Sequence, residues 1–175
     1  LLFHGCIPMK ENGDFDSVDV LGKSLKGKEL LDTIENIAHR AYFGGNNEEN
    51  QDAVDFMWYL WCGPKSPLFG KEKAATFERY FVEEKELHKE AKNPYYTLIN
   101  QEETCNKILE NFGLDKEEDS HIINGHMPVK AKDGESPVKA NGKLIVIDGG
   151  FAKAYQPTTG IAGYTLTYNS HGLVL

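Results

Sequence analysis

The sequence contains few cysteines, and those it has are isolated. Cys6, Cys62 and Cys105 form no CxxC pair. A sparse, odd set of thiols excludes a disulfide framework and is typical of a reduced, cytoplasmic protein. The chain also lacks the run of about 20 apolar residues that a membrane-spanning helix requires. We therefore expect a cytoplasmic protein with no membrane partner.

Basic charge is scarce as well. Lys+Arg total 19 against 27 for Asp+Glu, which gives a formal net charge of −8 and disfavours a nucleic-acid partner. The motifs HExxH, GxSxG, the P-loop and GxGxxG are missing, so the chemistries that they mark have no support here. The length, 175 residues, suits one ordinary domain with one sizeable core.

Two apolar runs each lead to a histidine that lies beside a glycine. Residues 1–3 precede His4, and residues 121–123 are followed closely by His126. We predict that each run is a buried strand and that both imidazoles stand at strand ends. Because sites on α/β sheets gather at strand ends, the histidines converge if their strands share one sheet edge. A lone histidine is more often structural, but such a pair suits a divalent ion such as Mn, Fe or Zn.

Helical patterns fill the middle of the chain, and strand patterns lie at its ends. We predict a hairpin over 17–25, helices over 28–43 and in the region of 100–113, and a buried central strand starting at 143. Another helix carries an apolar stripe that we assign to the core, namely Val54, Met57, Trp58 and Trp61. The pattern indicates an α/β or α+β fold.

Several polar side chains are candidates for contact with phosphate. The strand starting at 143 ends in Asp148, followed by two glycines, and this carboxylate can orient a ligand. The candidate cations are Lys65, Arg79, Lys130, Lys139, Lys143 and Lys153. Any one of them is more often a solvated surface residue. Lys130 ranks above the others because it follows the His126 segment.

Two short motifs and three longer stretches resemble a known enzyme family. The run HGCIP at residues 4–8 is similar to the HGG-like fourth motif of the calcineurin-like metallophosphoesterases, and GHMP at 125–128 resembles their later GH motif. Residues 61–79, 121–130 and 134–172 resemble the class III fructose-1,6-bisphosphatases of bacteria. The resemblance runs over essentially the whole chain.

The resemblance implies a fold and a domain organisation. The expected fold is α/β, one half of a metallophosphoesterase-type layered sheet sandwich with a helical insertion. Residues 1–175 are then the C-terminal portion of one catalytic domain. Residues 28–113 are the insertion, and we expect them to form a cap over the sugar site or the interface of a homo-oligomer.

The resemblance also implies a reaction. It is the metal-dependent hydrolysis of the 1-phosphate of fructose 1,6-bisphosphate to fructose 6-phosphate in gluconeogenesis, with Mn²⁺ as the expected ion. By motif, His4 and His126 both ligate the same one of two metals. The expected substrate-binding residues are Lys130, Arg79, Lys65 and Asp148, and the general acid and base stay unassigned.

One departure from the family limits what this chain does alone. The family's earlier motifs, GDxH, GDxxDRG and GNH[DE], supply the bridging aspartate, the other metal ligands and the acid, and none occurs here. The chain also starts and stops within apolar runs, which favours a piece of a longer polypeptide. We therefore predict that residues 1–175 alone do not assemble the dinuclear centre and are inactive.

Two other functions remain open. One is a different metallophosphoesterase, such as a protein Ser/Thr phosphatase or a dinucleotide polyphosphatase. The other is a non-catalytic module that binds phosphosugars, or a partner, through its basic loops.

Overall fold

The chain folds into two compact units. A computed structural model describes residues 1–45, 47–115 and 119–175. One unit, called here the sheet unit, comprises Leu1–Gly5 and Ile99–Leu175, and the other, the helical unit, comprises Cys6–Leu98. No helix within the described ranges is both long and apolar enough to cross a membrane.

Helices occupy the middle of the chain, and most of the strands lie towards its two ends. The strands are β1 (Leu2–Phe3), β2 (Val18–Val20), β3 (Lys23–Leu25), β4 (Ile122–Asn124), β5 (Val138–Lys139), β6 (Leu144–Val146), β7 (Thr167–Asn169) and β8 (Gly172–Val174). The helices are α1 (Gly27–Phe43), α2 (Gln51–Cys62), α3 (Thr76–Phe81), α4 (Tyr95–Leu98), α5 (Glu102–Asn111) and α6 (Gln156–Thr159). The chain therefore has a mixed α/β fold.

A four-stranded mixed sheet organises the sheet unit. Its strand order is β1-β4-β6-β5, with β1, β4 and β6 parallel and β5 antiparallel to β6. Leu144, Ile145 and Val146 are all buried, and β6 lies between two other strands, which confirms the prediction of a buried, central β6. The prediction that residues 1–3 form a strand is also confirmed, but their burial is not. Leu2 is 70% exposed because β1 lies at the edge of the sheet.

The helical unit is built around the β2–β3 hairpin, α1 and α2. The predicted hairpin is confirmed, but its turn is Leu21-Gly22 rather than Gly22-Lys23, so Val18 lies opposite Leu25. The core consists of Val18, Val20, Leu25, Leu30, Ile34, Ile37, Ala53, Phe56 and Leu60. The helix predicted over 28–43 is thus confirmed, and its buried residues recur every three or four positions, as a one-sided helix requires.

The side of α2 that faces the core is not the one predicted. The structure buries Ala53, Phe56 and Leu60 against the core instead. The predicted core stripe is exposed, at 41% for Val54, 37% for Met57, 66% for Trp58 and 68% for Trp61. Both stripes have helical spacing, so periodicity alone does not choose between them. The small Ala53 side chain allows α2 to pack closely in the core.

The helical unit and the predicted insertion have different bounds. The unit is Cys6–Leu98, whereas α5, which falls within the predicted range 28–113, belongs to the sheet unit. The assignment of residues 28–113 as an insertion or cap stays a prediction.

The three cysteines are free thiols, as expected. Burial raises the pKa of Cys6 and of Cys105 to about 12, whereas Cys62 lies half-buried near the end of α2. Because the thiolate is the reactive form, iodoacetamide near pH 8 should alkylate Cys62 and spare the other two. Mass spectrometry of the native and the denatured protein tests this. Rapid native labelling of Cys6 or Cys105 would contradict the packing described.

Candidate functional site

Two histidine rings meet at the ends of parallel strands in the sheet unit. His4 follows β1, and His126 lies two residues beyond β4. Nε2 of His4 is 3.1 Å from Nδ1 of His126, and the rings are nearly perpendicular, with their centroids 5.0 Å apart. The predicted convergence of the two imidazoles is therefore confirmed. Both rings are accessible from solvent, so an ion or a substrate can reach the pair.

The side chain of Asn124 holds the backbone on both sides of His4. Asn124 is only 5% exposed, and its Nδ2 donates to the carbonyl oxygens of Phe3 at 3.0 Å and of Gly5 at 3.2 Å. The two hydrogen bonds fix the end of β1 against the end of β4. They therefore fix the position of the backbone that carries the His4 side chain. This contact was not predicted. Its only signal in the sequence is a polar residue at the end of an apolar strand.

His126 has an unusual backbone conformation. Its φ is +77°, in the left-handed region that non-glycine residues visit at a cost of about 1–2 kcal/mol. The chain then turns, and the Val129 N–H donates to the Asp148 carbonyl at 2.7 Å, which fastens the turn to the end of β6. Strain of this kind gathers at functional sites, where surrounding contacts maintain it.

Asp148 and Gly149 form the third strand end of the site. Asp148 Oδ1 accepts a hydrogen bond from the Gly150 N–H at 2.8 Å. A Cβ on Gly149 would lie 2.7 Å from the backbone nitrogen of Gly163, so only glycine permits this close approach. The Tyr164 N–H then donates to the Ile147 carbonyl at 3.0 Å. These contacts place Tyr164 beside the strand end.

A cavity of about 560 Å³ opens at these strand ends. This volume is within the range of small-molecule sites, roughly 300–1,000 Å³. Neither Phe151 nor Tyr164 was singled out as a site residue from the sequence. The cavity is lined by Leu2, Phe3, His4, Asn124, Gly125, Ile147, Asp148, Phe151 and Tyr164.

The remaining candidate residues lie elsewhere. Lys130 is exposed, does not line the cavity, and donates its backbone N–H to Glu135 at 2.8 Å. Lys65 and Arg79 belong to the helical unit. The structure thus brings His4 and Asp148 to one cavity, places His126 against the His4 ring, and leaves the three cations outside the cavity lining.

Both candidate cations of the helical unit already have anionic partners. Lys65 pairs with Asp16 at 2.8 Å, and Arg79 with Glu90 at 3.3 Å. The pKa of Glu90 is lowered, mainly by a hydrogen bond from Lys71, with Arg79 as a smaller cause. Local pairing therefore accounts for these two cations without a phosphate.

The two imidazoles fit one metal ion as a pair of ligands. Two nitrogens that bind one ion at about 2.0–2.1 Å, at a right angle, lie about 3 Å apart, which matches the observed 3.1 Å. A neutral imidazole has one nitrogen lone pair to offer, so each ring can supply one ligand. No cluster of three or more His, Cys, Asp or Glu residues able to hold an ion occurs in the described part of the chain.

Imidazoles at adjacent parallel strand ends, beside a cavity of this size, are an arrangement typical of ligand sites in α/β proteins. The chain belongs to the family described as Firmicute fructose-1,6-bisphosphatase, which matches residues 1–175. The resemblance noted in the sequence is thereby confirmed.

Curated relatives agree with the family assignment. The chain is 60% identical over 176 residues to the fructose-1,6-bisphosphatase class 3 of Clostridium botulinum (strain Kyoto / Type A2), and equally so to that of Clostridium tetani. It is 61% identical to the protein of the same name from Fusobacterium nucleatum. These matches cover 100% of this chain but only 26–27% of each relative, so the chain spans about a quarter of their length. No solved structure matches the chain.

Replacing His126 with glycine should not weaken the fold. We expect His126→Gly to keep or raise the free energy of unfolding, because glycine removes the strain of about 1–2 kcal/mol. Unfolding in urea measures this free energy of unfolding. The matched control is His171→Gly in the exposed β7–β8 turn, where φ is not in the left-handed region, so added chain entropy should lower stability slightly. A loss of several kcal/mol for His126→Gly would show that this imidazole is structural.

Removing the Asn124 amide should loosen the site. Asn124→Ala leaves the carbonyls of Phe3 and Gly5 without their donor, so we expect a loss of about 1–3 kcal/mol in the free energy of unfolding. The control is Asn36→Ala, which removes one hydrogen bond from a side-chain amide on the exposed face of α1 and should change stability little. Chemical denaturation compares the two. Equal effects would refute the clamping role of Asn124.

Proposed function

We propose that this chain is part of a cytoplasmic fructose-1,6-bisphosphatase, which hydrolyses the 1-phosphate of fructose 1,6-bisphosphate to fructose 6-phosphate in gluconeogenesis. The observation that carries the proposal is 60–61% identity, over the whole chain, to relatives named for this activity. The cavity of about 560 Å³ beside the imidazoles supports it, because it is large enough for a sugar bisphosphate.

The proposed cofactor is Mn²⁺, held in part by His4 and His126. When bound, a divalent ion polarises phosphoryl oxygens and neutralises the charge that develops as the phosphate ester breaks. The spacing and accessibility of the two ring nitrogens support this role. Asn124 contributes indirectly, because it fixes the backbone from which the His4 ring projects.

The cavity walls are proposed to orient the sugar. Asp148 and Tyr164 are polar groups on a lining that also includes Phe151 and Ile147, and such a mixture fixes the orientation of a small polar ligand. Lys130, Lys65 and Arg79 stay proposals as phosphate contacts, and the ion pairs of the last two weaken theirs. No nucleic acid is proposed as a partner, given the net charge of −8.

The proposed catalytic centre is completed by residues outside this chain. The full-length polypeptide is proposed to supply the motifs GDxH, GDxxDRG and GNH[DE], and with them the other half of a metallophosphoesterase-type sheet sandwich. Residues 28–113 are proposed as a cap over the sugar site or as the interface of a homo-oligomer. Residues 1–175 alone are then inactive and bind Mn²⁺ weakly, because two ligands are too few for a catalytic centre.

In the full-length protein, His4→Ala and His126→Ala should each abolish most of the activity. We expect kcat/KM for fructose 1,6-bisphosphate to fall by at least about 100-fold, the upper end of the loss for residues that merely support a ligand. Phosphate release with Mn²⁺ measures it, and His171→Ala, an exposed histidine of the β7–β8 turn, is the control. Hydrolysis of a phosphopeptide in preference to the sugar would favour a protein phosphatase instead. No phosphatase activity at all would favour the binding module.

A further inference from the structure

Helix α2 is apolar on two of its sides. The inner side, formed by Ala53, Phe56 and Leu60, is buried in the core of the helical unit. The second side, called here the outer stripe, consists of Val54, Met57, Trp58 and Trp61, at the spacing i, i+3, i+4 and i+7. A helix that is apolar nearly all round is typical of a buried helix, covered by other elements on more than one side.

The outer stripe is a contiguous surface rather than a set of scattered residues. Trp58 and Trp61 are the only two tryptophans of the chain, and their rings touch edge to face with centroids 5.0 Å apart. Each is about two-thirds exposed. The Arg40–Asp52 ion pair joins the end of α1 to the start of α2, and Tyr42 and Phe43 at the end of α1 are also exposed. Aromatic patches of this kind mark interaction surfaces.

The length of the relatives indicates what covers the outer stripe. About three-quarters of each curated relative has no counterpart in these 175 residues. We propose that the outer stripe packs against the part of the full-length polypeptide that lies outside residues 1–175. A covalently attached partner is present at high effective concentration whatever the protein concentration, so the stripe stays covered in the working protein.

A second copy of the chain is the weaker choice of occupant. Each copy carries a formal net charge of −8, so two copies repel one another as they approach. A docked copy would also leave the tryptophans exposed at low concentration. Dilution should therefore expose the outer stripe if a second copy covers it, but not if a covalently attached segment does.

Hydroxyl-radical footprinting of the full-length protein tests the proposal residue by residue. The chain supplies matched references: Met57 is 37% exposed and Met9 is 1% exposed, while Tyr168 is an exposed ring at 83%. We expect Met57, Trp58 and Trp61 to be labelled several-fold more slowly than their exposure here implies, at a rate similar to Met9 and independent of dilution. Rapid labelling at every concentration would overturn the proposal. So would protection that disappears on dilution, because it would identify a second copy as the occupant.

A pair of variants supplies an independent measurement. In the full-length protein, Trp58→Lys should open the contact and increase the labelling of Trp61 several-fold, whereas Trp58→Tyr, which keeps a ring in place, should not. Unchanged labelling of Trp61 in the lysine variant would contradict the proposal. If Trp58→Lys does not fold, the footprint of the unsubstituted protein still decides the question. Trp58 is not among the residues that line the cavity, and the footprint is read without an activity assay, so failure of this proposal is distinct from failure of the proposed enzyme activity.

Discussion

The candidate site depends on one buried amide that joins two strand ends. The bonds from Asn124 to the carbonyls of Phe3 and Gly5 reinforce the attachment of the His4 segment to the sheet, where β1 is only two residues long. An edge strand this short has few ladder bonds of its own. The amide compensates at the place where the chain leaves the sheet. The 3.1 Å spacing of the imidazoles follows from that attachment and from the left-handed backbone of His126.

The site shows which properties of a fold are visible in a sequence. An apolar run followed by glycine and histidine predicts a strand end. Parallel strands bring such ends to one edge of the sheet, so the proximity of His4 and His126 was predictable. The contacts of Asn124 were not, because they join residues about 120 positions apart. The place of Tyr164 was equally hidden, since it follows from the close approach of Gly149 to Gly163.

Helix α2 shows why periodicity can mislead. Two apolar stripes share the helix, and the one that contains both tryptophans is bulkier. The core instead selects the stripe containing Ala53, whose small side chain lets the helices approach closely.

The cations Lys65 and Arg79 illustrate a related limit. A lysine or arginine beside a loop resembles a phosphate contact until its carboxylate partner is located in space.

The pairing of β1 with β4 also has a consequence for how the protein is made. Closing a loop of 121 residues between Phe3 and Asn124 costs on the order of 4 kcal/mol in chain entropy, before any contact of the site repays it. The hairpin and helices of Cys6–Leu98 have a core of their own and leave the ribosome before β4 does. Residues 2–3 cannot form this pairing until residues 123–124 have been synthesised. A chain that ends within this interval can fold residues 6–98, but it lacks β4 and therefore the paired strand ends of the site.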